Sequence, residues 1–359
     1  MKSKKILILI YMIFAFICTG CTSQGKIISY NENVQVRGLT LKTSLIQTAY
    51  ELYNINVANP NDYNEDLYKK STKDAQKHYK WLKKTYASMD NNMKNKLDNI
   101  FSTYNQWDYI NEVINLDDNA DKDEILNQII SSEYLSLSKP LKEDLISFYN
   151  YFYDESFDSY YFKHEVKYAK KSNEINKILV DNNIDVIKFV ENVSGFDFEH
   201  KYQSIFYYSF NPFQTQVFKY DNTIISTVQS DVNAQDILSI CFYQYSQYIF
   251  DNLANNYEFI EVCQNLKNDP DFINEYKKLG QTSYDFNSWC RENLVAGFSK
   301  YLDYRYCQSD YQFNSYVFDL DFYNYLRAEN FNPNDITLTD VCIGFYQDKV
   351  NTLLASYKN

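Results

Sequence analysis

Glycine and proline are scarce in this sequence, which has 7 glycines and 5 prolines among 359 residues. Both residues interrupt regular secondary structure, so their scarcity over such a length favours long helices with few tight turns. It also excludes a glycine-rich phosphate-binding loop, and no G-x-S-x-G nucleophile elbow is present.

Histidine and clustered cysteine are lacking as well. The chain has only 3 histidines and, beyond Cys21, no C-x-x-C pair or Cys/His cluster, which excludes a cysteine zinc site and a histidine-rich metal site. The cysteines after Cys21 are odd in number, so at least one of them is unpaired, and their pairing stays open: Cys241, Cys263, Cys290, Cys307 and Cys342.

Positive charge is in deficit, because 35 Lys and Arg face 47 Asp and Glu and give a net charge of -12. Binding to phosphate backbones needs a basic face, so nucleic acid is excluded as a partner. Tyrosine is abundant at 36 residues, but it is spread along the whole chain. This spread favours a compositional bias over a tyrosine-lined sugar groove.

Long apolar runs are absent apart from one at the N-terminus. Three lysines among the first five residues precede an apolar run at 6–17, which ends shortly before Gly20-Cys21. This order is typical of a lipoprotein signal peptide, in which cleavage before Cys21 leaves its thiol free to take a diacylglycerol. We therefore expect a signal peptide at 1–20, a lipidated tether at 21–26 and an exported protein of the cell envelope, anchored to a bacterial membrane.

Hydrophobic periodicity predicts a single domain at 27–359, mainly α with a small β-sheet (α+β). Short strands are expected near residues 30, 205, 218 and 226. Helical patterns cover 41–53, 64–88, 91–115, 122–136, 140–155, 158–192, 233–252, 256–266, 270–279, 285–304, 309–328 and 339–357.

The segment Tyr243-Gln244-Tyr245-Ser246-Gln247 is unusual, because phenols and amides occupy a helix with apolar flanks. Strands followed by a helix are the setting of the zinc-peptidase motif H-E-x-x-H. In that motif two imidazoles one turn apart bind one metal, and the Glu between them activates a water. Here Tyr243 and Gln247 stand at the two histidine positions, and Gln244 stands at the general-base position.

The sequence around this helix resembles an uncharacterised family of secreted bacterial proteins that carry a HEFSH-type sequence and are similar to gluzincin metallopeptidases. QVRGLTLKTSLIQTAYEL at 35–52 is similar to the family's opening segment. Phe210-Asn211-Pro212 and Ile224-Ile225 stand where the family has its pre-helix sheet. Glu292, in the stretch CRENLV, matches the glutamate of the family's later helix. The resemblance implies a zincin-like helical domain over most of 35–355.

The residues that give this family its activity are replaced here. A neutral amide is a poor zinc ligand, a phenol with a pKa near 10 is mostly protonated at pH 7, and the amide of Gln244 has no basic oxygen. The resemblance therefore implies a degenerate site with no metal or cofactor, formed by Tyr243, Gln244, Gln247 and Glu292. We predict that a buried Glu292 is satisfied by hydrogen bonds from Tyr243 and Gln247 in place of a cation. Gln244 is predicted to lie on the same side, open to the cleft.

Three functions remain open. The favoured one is a membrane-anchored, inactive member of a gluzincin-like family that binds an extracellular peptide, glycan or surface protein. An unrelated helical solute-binding or surface-interaction lipoprotein is the first alternative. An active hydrolase with unusual ligands, drawn from Asp236, Asp251 and Glu292, is the second.

Other candidate sites are weaker. His164-Glu165 forms half of an H-E-x-x-H motif in a lysine-rich helix, where a solvated face is expected, and His78 and His200 are isolated in the sequence. The stretch 117–128 imitates a calcium loop but lacks the glycine and the glutamate that such a loop needs. An acidic cap for the following helix is the expected structure there.

Overall fold

The computed structural model describes residues 31–60, 62–199, 202–211, 216–280 and 284–356. The predicted signal peptide at 1–20, Cys21, the predicted tether at 21–26 and His200 lie outside these residues. The predicted fold class is confirmed, because the described chain is mainly helical with one small sheet.

Between the first strand and the second, the described residues form nine α-helices. Their bounds are α1 Leu41–Tyr53, α2 Asp62–Lys70, α3 Lys73–Ser88, α4 Asn91–Thr103, α5 Gln106–Val113, α6 Lys122–Ser131, α7 Lys139–Phe152, α8 Asp158–Asp181 and α9 Val186–Ser194. Single π-helical turns extend α1 and α7, at Asn54–Ala58 and Tyr153–Phe157.

Four strands form one mixed sheet: β1 Val34–Arg37, β2 Gln203–Tyr208, β3 Gln216–Tyr220 and β4 Thr223–Val228. The spatial order is β1-β2-β4-β3, with β1, β2 and β4 parallel and β3 antiparallel to β4. β2, β3 and β4 lie where the sequence predicts them, whereas β1 lies a few residues after the predicted position near 30. Asp221, with φ 47°, supplies the left-handed conformation that the tight turn from β3 to β4 needs.

The outer edge of β1 is covered by a side chain from α8. Asn176 accepts a hydrogen bond from the Val36 amide at 2.9 Å and donates one to the Val36 carbonyl at 2.5 Å. An amide side chain can make both bonds at once, so it takes the place of a neighbouring strand. The opposite edge of the sheet is β3, which pairs only with β4 in the described chain.

The remaining α-helices follow the sheet: α10 Ala234–Ile249, α11 Tyr257–Leu266, α12 Pro270–Glu275, α13 Phe286–Cys307, α14 Asp319–Ala328 and α15 Leu338–Ser356. A 3-10 turn at Leu253–Asn255 and a π-helical turn at Tyr276–Gly280 lie between them.

Side-chain caps divide segments that periodicity alone predicts as single helices. Thr72 accepts from the Ala75 amide and begins α3, so the predicted helix at 64–88 is two helices. Asn105 forms a capping box with Asp108 and begins α5 inside the predicted helix at 91–115. Asp185 likewise caps α9 and divides the predicted helix at 158–192.

The predicted helix at 309–328 is also wrong in its first half, because α14 begins only at Asp319. Buried side chains satisfy the backbone of the irregular segment before it. The side-chain oxygen of Asn293, Oδ1, accepts from the backbone amides of Val317 and Phe318 at 2.9 and 2.8 Å. The Asp319 carboxylate accepts from the amides of Ser315 and Tyr316 at 2.8 and 3.0 Å.

The acidic segment before α6 is a helix cap, as the sequence predicts. Asp121 and Glu124 form a capping box, and the carboxylate of Asp117 accepts from the Asn119 amide at 2.8 Å. Asp118 has a different role, since it lies between Arg37, Lys42 and the hydroxyl of Tyr207. This cluster ties the end of β1 to β2 and to the loop after α5.

One hydrophobic core extends from Val34 in β1 to Val350 in α15. Four of the cysteines in the described chain are buried in it and unpaired, and Cys307 is half-buried and unpaired. They act as small apolar side chains there. Within the described residues, no helix is both long and apolar enough to cross a membrane.

Candidate functional site around Glu292

Helix α10 lies between the sheet and α13, and its ends are well defined. Asn233 accepts from the amides of Gln235 and Asp236, and Asp236 returns a bond to the Asn233 amide, so a capping box begins the helix just after β4. This position brings Tyr243 and Gln247, one turn apart, to the side of α10 that faces α13. Glu292 lies near the start of α13.

The structure brings Tyr243, Gln247 and Glu292 together. The Tyr243 hydroxyl donates to Glu292 Oε2 at 3.0 Å, and the Gln247 amide nitrogen donates to the same oxygen at 2.7 Å. Glu292 is only 1% exposed, so these two bonds replace the water that its carboxylate loses on folding. The contact of Glu292 with Tyr243 and Gln247, which the resemblance implies, is therefore present.

Arg291 completes the cluster, and the sequence reasoning missed it. Its guanidinium donates from Nη2 to Glu292 Oε1 at 2.8 Å, while Nη1 lies 3.7 Å from Asp251 Oδ1. The expectation that only neutral donors satisfy Glu292 is thus wrong, because a cation also neutralises it. Consecutive helix residues point in different directions, which is why the adjacent arginine gave no signal as a partner.

The donors around Glu292 do not form a zinc site. Burial and the nearby Glu292 carboxylate raise the pKa of Tyr243 well above that of an ordinary phenol, so its hydroxyl keeps its proton and donates. The Gln247 nitrogen also donates, and neither group offers a lone pair where a metal would need one. Within the described residues, no group of three or more His, Cys, Asp or Glu side chains is placed to hold a metal ion.

Gln244 does not lie where the sequence predicts it. Its side chain is buried against the sheet, with its amide nitrogen 2.7 Å from the Ser226 hydroxyl of β4. Its carbonyl oxygen lies 3.5 Å from the hydroxyl of Ser204 in β2, which also contacts the Tyr245 hydroxyl at 3.1 Å. The prediction that Gln244 is open to the cleft is therefore wrong, because it joins α10 to the sheet.

The other carboxylates proposed for a hydrolase are poorly placed. Asp236 belongs to the capping box at the start of α10, about two turns before Tyr243. Asp251 follows α10 and is largely exposed beside Arg291. Neither is paired with Glu292 as two catalytic carboxylates would be.

Aromatic side chains surround Glu292 on its outer side. Tyr316 lies close enough to Tyr243 to contribute to the raised pKa of that phenol. The pKa of Tyr284 is raised as well, mainly by burial and to a smaller extent by Tyr316 and the Glu292 carboxylate. Trp289 packs against Tyr316 with ring centroids 5.2 Å apart. Tyr284 and Tyr316 are half-buried, whereas Trp289 is only 1% exposed and belongs to the core.

Two histidines that seemed unremarkable in the sequence line a cavity elsewhere. His78 and His164 share a cavity of about 420 Å³ beside the sheet, and the expectation of a solvated face at His164 is wrong because its ring is half-buried. Tyr243, Gln247 and Glu292 do not line this cavity.

No protein-family model matches this chain, and neither a curated protein nor a solved structure shows significant similarity to it. The resemblance to a gluzincin-like family, and the assignment of these residues as former metal-site positions, therefore stay predictions.

Proposed function

We propose that this protein is a membrane-anchored lipoprotein with a degenerate, inactive gluzincin-like site, and that it acts by binding a peptide, glycan or surface partner. The observation that supports this function is the saturation of Glu292 by Tyr243, Gln247 and Arg291. Residues one turn apart on α10 meet a glutamate 45 residues beyond Gln247, in the arrangement that the family motif implies. Each of the two histidine positions of the motif now holds a hydrogen-bond donor, and Glu292 accepts from both.

Hydrolysis is not favoured by this geometry. A general base must be basic and must reach the water that it deprotonates. Gln244 stands at the position of the general base, but its amide is not basic and is buried against Ser226, away from any substrate water. An active hydrolase with unusual ligands would need carboxylates near Glu292, and the nearest one, Asp251, is oriented toward Arg291 and solvent.

A peptide is the ligand class that the neighbouring sheet favours. β3 is an edge strand, and extended peptides add to such edges through backbone hydrogen bonds. The Lys219 ammonium of β3 lies 4.1 Å from the ring centroid of Tyr248, which follows Gln247 in α10. The strand edge and the Glu292 cluster thus border the same helix.

The first alternative, an unrelated solute-binding lipoprotein, rests on a separate observation. The cavity at His78 and His164 has a volume within the range of ligand pockets. The convergence of Glu292 on both α10 positions favours the gluzincin-like proposal over this alternative, since an unrelated helical fold gives no reason for that contact.

Rebuilding the metal site tests the proposed ancestry. In the double variant Tyr243→His/Gln247→His, two imidazoles would stand one turn apart opposite Glu292, which supplies a third zinc ligand. We expect this variant to bind about one zinc ion per chain, measured by elemental analysis after dialysis. The wild-type protein should hold well below one.

The control is the triple variant that adds Glu292→Gln, which should lose most of the gained zinc because one ligand is removed. Far-ultraviolet circular dichroism shows whether each variant is folded. A folded double variant that binds no zinc contradicts the gluzincin-like assignment. Stoichiometric zinc or peptidase activity in the wild type contradicts the proposal that the site is inactive.

Binding is tested with a random peptide library displayed on phage and selected on the purified lipoprotein. We expect enriched sequences that bind the wild type and lose affinity for Tyr316→Ser, which removes a half-buried ring beside Tyr243. Tyr134→Ser is the matched control, since Tyr134 is 77% exposed and belongs to the segment after α6. Equal loss in both variants, or no enrichment, would remove the support for peptide binding.

A further inference from the structure

A second candidate site lies at the carboxyl ends of the parallel strands. Phe210 comes two residues after β2 and Gln229 directly follows β4, and both line the cavity of about 420 Å³. The start of α3 and the middle of α8 form the opposite walls. The crevice beyond the carboxyl ends of parallel strands is where open α/β sheets bind ligands. This cavity shares no residue with the Glu292 cluster.

A buried polar network fixes one wall of the cavity. His78, only 2% exposed, lies with Nε2 3.0 Å from Glu51 Oε2 and with Nδ1 2.9 Å from the Tyr160 hydroxyl. The Tyr68 hydroxyl donates to the second Glu51 oxygen at 3.0 Å. When His78 donates from Nε2 to the carboxylate, Nδ1 is left to accept from Tyr160. The network therefore holds the ring of Tyr160 in a defined position.

His164 presents a hydrogen-bond acceptor at the same cavity. Its Nδ1 lies 2.8 Å from the Tyr160 backbone carbonyl, which only accepts, so Nδ1 carries the hydrogen. Burial lowers the pKa of His164 below its ordinary value of 6.5, which keeps the imidazole neutral at pH 7. Nε2 then carries a lone pair, and it has no hydrogen-bond partner among the described residues.

Aromatic rings form the apolar part of the lining. The ring centroids of Tyr160 and Phe210 are 5.1 Å apart, and those of His164 and Phe210 are 5.6 Å apart. Such rings bind the flat, apolar faces of ligands by stacking. The hydrogen-bonding groups at the mouth, which include the Gln229 amide and the Asp231 carboxylate, can serve a ligand with several hydroxyls.

Charge at the cavity is balanced. Asp74 is paired with Lys167, and the Lys171 ammonium donates to the Ser230 carbonyl. Lys70 and Asp231 contribute one charge of each sign at the rim. A phosphate needs a cluster of free cations and an organic cation needs free carboxylates, so this balance favours a neutral ligand.

We propose that this cavity binds a neutral sugar ring, with an apolar face of the sugar against Phe210 and Tyr160 and a hydroxyl donating to His164 Nε2. The Gln229 amide and the Asp231 carboxylate bind further hydroxyls. The ligand is a monosaccharide, or the end of a longer glycan that enters through the open rim.

Saturation-transfer NMR on the purified lipoprotein tests this site. The probes are glucose, galactose, N-acetylglucosamine, xylose, maltose and cellobiose at millimolar concentration, with inorganic phosphate and choline as charged comparisons. We expect transfer to the ring C–H protons of at least one sugar. His164→Phe keeps an aromatic ring but removes the acceptor, so it should weaken that binding about tenfold, the value of one hydrogen bond.

Gln229→Leu provides a second, independent variant with the same expected direction. Glu165→Gln is the matched control, because Glu165 neighbours His164 on α8 but does not line the cavity, and it should bind like the wild type. The proposal is overturned if no sugar binds, if phosphate or choline binds more tightly than every sugar, or if sugar binding is unchanged in both cavity variants. The cavity shares no residue with the Glu292 cluster, so the result for sugar binding is independent of whether the proposed function of that cluster is right.

Discussion

Gln244 of α10 and Ser226 of β4 are joined by a hydrogen bond of 2.7 Å between the amide nitrogen and the hydroxyl. The bond lies in the interior, where Ser226 is fully buried and Gln244 nearly so. It fixes which face of α10 lies against the sheet, and thereby leaves Tyr243 and Gln247 to face α13.

The variant Gln244→Glu restores the general-base residue of the family motif and should gain no peptidase activity. It places a carboxylate in the interior, where burial raises its pKa, so the folded state binds the proton more tightly than the unfolded state. The stability of the variant relative to the wild type should therefore be greatest below the unfolded pKa of about 4.3 and fall as the pH rises to 7. Thermal unfolding across this range measures the effect.

Gln128→Glu, on the exposed face of α6, is the control and should show no comparable loss. If Gln244→Glu is as stable as the wild type at pH 7, Gln244 faces water and its position described above is wrong.

Arg291→Met should destabilise the fold strongly, because Glu292 would keep its charge in the interior without a cation. Removing one partner of a buried ion pair typically costs about 3–5 kcal/mol. The double variant Arg291→Met/Glu292→Gln should lose less than Arg291→Met alone, since no unpaired charge remains and the glutamine oxygen can still accept from Tyr243. Urea unfolding of the wild type, Arg291→Met, Glu292→Gln and the double variant gives the comparison. Additive losses would show that Arg291 does not stabilise the Glu292 charge.

Asp118→Asn should remove a pH-dependent part of the stability. Burial alone would raise the pKa of Asp118, but the Tyr207 hydroxyl and the cations Lys42 and Arg37 lower it below the ordinary value. A lowered pKa in the folded state means that the stabilisation is complete above the unfolded pKa of about 3.9 and is lost as the pH falls through the folded value. We expect the variant to be less stable by roughly 1–3 kcal/mol at pH 7.

The difference between wild type and Asp118→Asn should shrink as the pH falls below the unfolded pKa of about 3.9 and should vanish below the lower folded pKa, where the folded carboxylate is protonated. Denaturant unfolding at several pH values follows it. Asp117→Asn provides the control, because Asp117 is exposed and should show no such trend. If the difference in the free energy of unfolding grew as the pH fell, the pKa of Asp118 would be raised in the folded state rather than lowered.

Cys21→Ser should leave the protein unprocessed or released from the membrane, because the thiol that takes the lipid is gone. Mass spectrometry of the N-terminus and membrane fractionation measure the two effects, with Cys18→Ser as the control. Normal cleavage and membrane retention of Cys21→Ser would rule out lipidation at this residue.

The contact of Glu292 with α10 could be predicted because helix spacing places Tyr243 and Gln247 on one side, and the resemblance supplied the partner. The direction of Gln244 could not, because it depends on which face of α10 lies under the sheet. The contacts of His78 could not be predicted from the sequence either, since Glu51 and Tyr160 lie 27 and 82 residues away in the chain. Helix patterns were reliable in their centres, while caps such as Thr72 decided where the helices divide.

The pairing of β1 with β2 has a consequence for the order of folding. Arg37 and Tyr207 are neighbours in the sheet but 170 residues apart in the chain, and all of α1–α9 lies between them. Contacts of such long range slow folding, because the intervening chain must be ordered before they form. During synthesis from the N-terminus, β1 has no partner strand until residues 203–208 have been made. The helical first half must therefore keep β1 available until the second half completes the sheet, and Asn176 of α8 is one of its hydrogen-bonding partners in that half.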